Sequence, residues 1–151
     1  MFWRHIYTYT GTAAEAYEYT NGRVIFASGS PFEQITTPNN HIWSPGQANN
    51  CYVFPGIGLG IIISKAQRVT EEMMLKAAEA LSEVANPNEL ARGSLYPYIG
   101  RARQASEAVA AAVAEEVFRQ GLNGIPRPAD ITLRELARQS MWQPQLKVGL
   151  N

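Results

Sequence analysis

Pro45-Gly46-Gln47-Ala48-Asn49-Asn50-Cys51-Tyr52-Val53-Phe54-Pro55-Gly56-Ile57-Gly58-Leu59-Gly60 sets paired amides directly before a glycine-rich apolar run, where backbone and a neighbour can approach closely. From Pro55 the pattern predicts a helix, because proline is tolerated in a first turn and Gly56, Gly58 and Gly60 leave room for a packed partner. The same glycines invite a dinucleotide-loop reading. They depart from Gly-x-Gly-x-x-Gly, since Ile61 stands at the third glycine position and Glu79, at the spacing of a ribose-binding acid, falls inside a predicted helix. Close helix packing is the preferred reading. The apolar run Cys51 to Ile63 is too short for a bilayer and is broken by Pro55 and glycines, so it reads as buried core.

Upstream, Gly22-Arg23-Val24-Ile25-Phe26-Ala27-Ser28-Gly29-Ser30-Pro31-Phe32 carries the strand signal. Arg23 to Ser28 is β-branched and aromatic at its centre, and its near-continuous apolar character predicts burial on both faces, as in a parallel sheet covered by helices. Before it, Thr12 with Glu15 matches a capping box for a short helix over Ala13 to Tyr19, ending near Asn21-Gly22. Phe32 to Gln47 reads as an irregular loop. A lone strand leaves its backbone groups unpaired. Either the aromatic stretch Met1 to Thr10 pairs with Val24 to Phe26, or the strand belongs to a larger sheet supplied by residues outside this chain.

Downstream the pattern is helical. Thr70 caps a helix with Glu71 and Glu72 in its first turn and an apolar stripe at Met74, Ala77, Ala78, Leu81 and Val84, stopped by Pro87. Ile99, Ala102, Ala105, Val109, Val113 and Val117 predict a long Ala-rich helix closed by Gly121, and Asp130 opens a last one with Leu133, Leu136, Ala137 and Met141 inward, ending at Trp142 and Pro144. The class expected is α/β, with one or two strands and a mainly helical carboxyl-terminal part.

With 46% hydrophobic residues and zero formal charge over 151 residues, the chain has a core's worth of apolar side chains and no electrostatic footprint for nucleic acid or anionic membrane. The first ten residues lack a signal core or an Arg-rich amphipathic period, so a soluble protein of cytoplasm or organelle matrix is expected. Cys51, the single cysteine, rules out an internal disulfide framework and reads as a small packed hydrophobe. His5 and His41 are isolated, with no ligand-spaced acid or cysteine. Arg101 and Arg103 could reach an anion, although a cation at a helix start opposes the dipole and a solvated face is the simpler reading.

Two features carry chemistry. Asn49 and Asn50 each offer two donors and an acceptor without adding charge, which suits a hydroxy acid; the competing reading is a turn that caps the following helix. Ser28, Gly29 and Ser30 end a buried strand, where open α/β sheets bind ligands; the competing reading is a plain strand-to-loop turn.

The Gly22 to Phe32 stretch, the Asn49-Asn50 segment, Arg92-Gly93-Ser94-Leu95-Tyr96-Pro97 and Met141-Trp142-Gln143-Pro144 resemble successive blocks of the carboxyl-terminal part of malic enzymes, in the same order. The resemblance implies an incomplete Rossmann-type NAD(P)-binding domain and helices over residues 12–144, flanked by divergent tails over 1–11 and 145–151. It makes Asn49 the malate-binding asparagine with Asn50 beside it, and puts Ser28, Gly29 and Ser30 at the cofactor. The family reaction converts malate and NAD(P)+ to pyruvate, carbon dioxide and NAD(P)H with a divalent metal, Mg or Mn. Its Tyr and Lys acid-base pair, acidic metal ligands and Gly-rich loop have no counterpart in motif context here. The chain alone is therefore expected to hold no catalytic residue or metal ligand and to be silent, contributing to an intact enzyme. The alternative is a non-catalytic module docking on malic enzyme subunits or another partner.

Overall fold

The computed structural model describes residues 11–38 and 40–143. The strand expected within Met1 to Thr10, the Pro144 stop and the tail over 145–151 lie outside the described residues. Two compact units are present. One comprises residues 11–48 with Pro87–Leu95, the other Asn49–Asn86 with residues 96–143.

In the first unit the capping box forms as the sequence requires. Glu15 N–H donates to Thr12 Oγ1 at 3.3 Å and Thr12 N–H donates to the Glu15 carboxylate at 2.6 Å, starting α1 (Ala13–Tyr19). The chain leaves α1 through Asn21 and Gly22, both at positive φ. Strand β1 is only Ala27–Ser28, shorter than the expected Arg23 to Ser28. Its partner comes from the stretch read as an irregular loop: β4 (Gly46–Gln47) pairs with it in parallel, Ala27 opposite Gly46 and Ser28 opposite Gln47. Gly46 N–H donates to Phe26 O and Ala48 N–H to Ser28 O, but Ser44 N–H, next in that series, donates instead to Arg92 O at 2.8 Å, which stops the ladder. Burial alternates from Arg23 to Ser28, with Val24, Phe26 and Ser28 half-buried and Arg23, Ile25 and Ala27 exposed. One face is covered rather than the expected two. The loop also folds β2 (Ile35–Thr36) against β3 (Ile42–Trp43) as an antiparallel pair. A short helix α4 (Pro87–Ala91) belongs to this unit and opens at Pro87, a first-turn position that tolerates proline; the preceding helix has already ended at Ser82, before the stop expected at Pro87.

In the second unit α5 (Ala102–Arg119) is the central element, and α2 (Phe54–Ser64), α3 (Glu71–Ser82) and α6 (Leu133–Ser140) pack on it. Ile57, Met73, Ala77, Val109, Val113 and Val117 form one apolar cluster; Ile63, Ala110, Ala114, Leu133 and Ala137 form another. The α5 stripe is the one its periodicity predicts from Ala105 to Val117, whereas Ile99, expected to open it, lies in a 3-10 turn before the helix and is exposed. That of α3 is shifted: Met73 is fully buried and Met74 is exposed, because the adjacent methionines fit two helical phases and the cap from Thr70 to Met73 N–H accompanies this one. The last helix starts at Leu133 with Thr132 as its cap, not at Asp130. Among the described residues, no helix is long and apolar enough to cross a membrane.

Glu116 is the one buried carboxylate of α5 among the described residues, with 3% of its surface accessible. Arg119 Nε reaches it at 2.7 Å and Gln120 Nε2 at 2.6 Å, and Gln120 Nε2 also lies 3.1 Å from Thr70 Oγ1. These donors, Arg119 foremost, outweigh desolvation and hold the Glu116 carboxyl at about 2, below its ordinary value of 4.5.

Candidate functional site

Asn49 adopts an extended backbone (φ −113°, ψ 131°) and begins the 3-10 turn Asn50–Tyr52. Its side-chain oxygen accepts from Cys51 N–H at 3.0 Å, and its main-chain carbonyl accepts from Tyr52 N–H at 3.1 Å. The capping reading is therefore realised, and it limits what the Asn49 side chain has left to offer. Only an oxygen can accept from a backbone N–H, so the cap turns the amide nitrogen the other way. That nitrogen has no partner among the described residues, which leaves Asn49 as a fixed double donor. Asn50 is exposed and its amide keeps both donor and acceptor capacity. Together they can donate to a carboxylate and still accept from a hydroxyl. Cys51 is free and half-buried in the same turn.

Ser28 ends β1, and Gly29 and Ser30 follow it. Gln47 Nε2 donates to the Gly29 carbonyl at 3.1 Å and Ser30 N–H approaches Ser28 Oγ at 3.4 Å, so the turn is held to β4 while Ser30 stays exposed. A Cβ on Gly29 would meet nothing within 4 Å. The turn is open at Gly29 and lies at the end of a parallel strand, the position at which open α/β sheets bind ligands. Asn49 and this turn lie in different units, the chain passing from one to the other between Ala48 and Asn49.

The glycine run of α2 is a packing device. A Cβ on Gly56 would lie 2.6 Å from Val109 Cβ, and one on Gly60 2.8 Å from Val113 Cβ, whereas Gly58 meets nothing within 4 Å. Among the described residues no three His, Cys, Asp or Glu side chains gather to hold a metal ion. The divalent metal implied by the resemblance finds no ligand set in them. Arg101 donates to Val84 O at 2.9 Å and Arg103 to Trp142 O at 3.0 Å, so both guanidinium groups have structural partners.

One feature had no sequence signal. His41 packs edge-on against Trp43 at 4.4 Å between ring centres, and Trp43 stacks on Tyr17 at 4.9 Å with 13° between planes. These rings line an open cleft of about 540 Å³ with Asn21, Thr36 and Thr37. The contributing residues lie in α1 and the turn that follows it, and in the β2–β3 pair and its connection.

Comparison with known proteins bears out the family resemblance. The family described as "Malic enzyme, NAD binding domain" matches residues 8–118. NADP-dependent malic enzyme 3 of Arabidopsis thaliana is 44% identical over 134 residues, covering 88% of this chain and 22% of that protein. The chloroplastic NADP-dependent malic enzyme of Oryza sativa subsp. japonica is 43% identical over 134 residues, covering 88% of this chain and 20% of its own length. The chain thus spans about a fifth of the length of these curated relatives.

Proposed function

Because this chain belongs to the malic enzyme NAD-binding domain family, we propose that Asn49 and Asn50 form part of the malate site, and Ser28, Gly29 and Ser30 part of the NAD(P) site, of a polypeptide that oxidises and decarboxylates malate. The observation that carries the reading is the capped amide of Asn49. Its oxygen is held by Cys51 N–H, so its nitrogen presents donors to an oxygen-rich anion without reorienting on binding. Asn50 supplies the acceptor for malate's hydroxyl. Neither residue moves a proton, and both act by holding the hydroxy acid so that its carbinol hydrogen faces the nicotinamide. NADP is the cofactor favoured, by likeness to the NADP-dependent relatives.

The 151 residues alone do not turn malate over in this reading, because binding amides do not replace acid-base groups worth roughly a hundred- to ten-thousand-fold in rate. The test is to immunopurify the polypeptide from its source with an antibody to residues 70–121, size it, and assay malate-dependent NADP reduction. Activity in a species several times heavier than 16.7 kDa supports the proposal; turnover by the 16.7 kDa chain on its own overturns it.

A second reading, a non-catalytic module docking on malic enzyme subunits, is favoured by one observation. Helix α2 is apolar on every side, yet Phe54 is 61% and Ile62 70% exposed. Recovery of the 16.7 kDa chain with a larger malic enzyme subunit, without activity of its own, selects this reading.

A further inference from the structure

Tyr52 closes the turn that Asn49 opens. Its side chain is among the largest fully buried ones, with 1% of its surface accessible. Its hydroxyl donates to the Pro97 carbonyl at 2.6 Å, 45 residues away in sequence, and its ring stacks on Tyr96 at 5.7 Å with 16° between planes. Tyr52 N–H simultaneously donates to Asn49 O, and Val53 N–H to Asn50 O. The 3-10 turn that carries both asparagines is thus tied at its far end to the Tyr96-Pro97 segment, which precedes α5.

We propose that Tyr52 is a positioning residue for the Asn49-Asn50 pair: its buried bond to Pro97 fixes the turn that aims the Asn49 amide nitrogen outward. The proposal rests on reading those asparagines as malate ligands, and it gives a role to the Tyr96-Pro97 motif, which the binding site itself does not use. A short 3-10 turn has poor internal geometry and holds its shape through what anchors it. Here the anchors are the Asn49 cap at one end and the Tyr52 side chain at the other. A hydroxyl with a buried carbonyl as its partner has one low-energy direction, so the ring and the backbone to which it is joined are held in register. No charge or proton transfer is involved.

The test is Tyr52→Phe in the full chain, read by NMR. The ring is kept, so ring-current shifts are preserved, and a change in stability alone does not move native-state resonances. The expected result is that the Cys51 amide proton loses the temperature coefficient of a bonded proton and the Asn49 side-chain amide pair shifts, while Val113 and Ala137 stay in place. Cys51 and Asn49 resonances that superpose on those of the parent chain overturn the proposal. If Tyr52→Phe does not fold, Tyr96→Leu removes the stacked ring and the Cys51 temperature coefficient is read in the same way. In the malate-oxidising protein that carries the chain, Tyr52→Phe raises the malate concentration for half-maximal rate roughly tenfold and changes kcat less than about threefold. Moved resonances with unmoved kinetics uphold the positioning role and count against Asn49 as a malate ligand.

Discussion

Gly60 faces α5 so closely that a Cβ on it would lie 2.7 Å from the Ala110 carbonyl oxygen. Backbone cannot yield there as a flexible side chain could, so Gly60→Ala separates α2 from α5 and costs about 1–3 kcal/mol or more. Gly58, two residues away with nothing within 4 Å, behaves oppositely. Gly58→Ala removes only the entropic cost of a helical glycine and stabilises by roughly 0.5–1 kcal/mol. Urea denaturation of both variants checks the pair; equal effects would refute the packing role of the run.

The Glu116 carboxyl, held at about 2 against an ordinary 4.5, links stability to pH. A depressed carboxylate contributes stability that is fully present above its unfolded value and is lost as pH falls through the folded one. The chain therefore weakens on acidification from about pH 5 towards pH 2. Arg119 and Gln120 face the group from α5 itself, and Lys76 adds its charge from α3. Glu116→Gln keeps the size but not the charge; it costs about 1–3 kcal/mol at neutral pH and flattens the acid limb. A residual slope remains from Glu15 and Glu135, which Thr12 and Arg138 hold below the ordinary range. Equilibrium unfolding at several pH values reads both effects.

Where local rules act alone, the sequence was sufficient. Thr12 with Glu15, the Thr70 cap and the α5 stripe from Ala105 to Val117 are set within a few residues by capping and by the 3.6-residue period, and they stand where they were expected. The start of α6 is a local miss, moved from Asp130 to Leu133 by the Thr132 cap, and the other errors fall where a distant group decides. Strand β1 stops short because the Arg92 carbonyl, just past the end of α4, takes the Ser44 N–H that would have extended the ladder. Met73 replaces Met74 because both fit the α3 period and packing against α5 decides between them. Of the candidate site, the pairing of Asn49 with Asn50 was legible. That the cap commits the Asn49 oxygen and leaves only its nitrogen for a ligand was not, since both roles draw on the same residue type.

Tyr17 is buried under Trp43, yet its hydroxyl has no hydrogen-bond partner among the described residues, and burial pushes its pKa up. Tyr17→Phe keeps the stacked ring and removes an unpaired polar atom, so stability is unchanged or rises by up to about 1 kcal/mol. Gly93→Ala tests the other side of the same indole. Gly93 has φ 78° and a Cβ there would lie 2.9 Å from the Trp43 ring, so the variant destabilises by more than about 1 kcal/mol. Thermal melts followed by tryptophan fluorescence separate the two.

Substitution of Asn49 by aspartate and by alanine divides its two roles. Aspartate retains an oxygen able to accept from Cys51 N–H, so the turn and the melting temperature are preserved, but the donor nitrogen is replaced by an anionic oxygen that repels a carboxylate. Asn49→Ala loses the cap as well, at about 1 kcal/mol. If, as proposed, the chain is part of a malate-oxidising polypeptide, both variants raise that polypeptide's malate concentration for half-maximal rate by roughly ten- to a hundredfold, the range for loss of a hydrogen bond to a charged group. The aspartate effect should be the larger despite its intact fold. If binding instead follows stability, with aspartate close to the parent and alanine impaired, Asn49 is a cap alone and malate is held elsewhere.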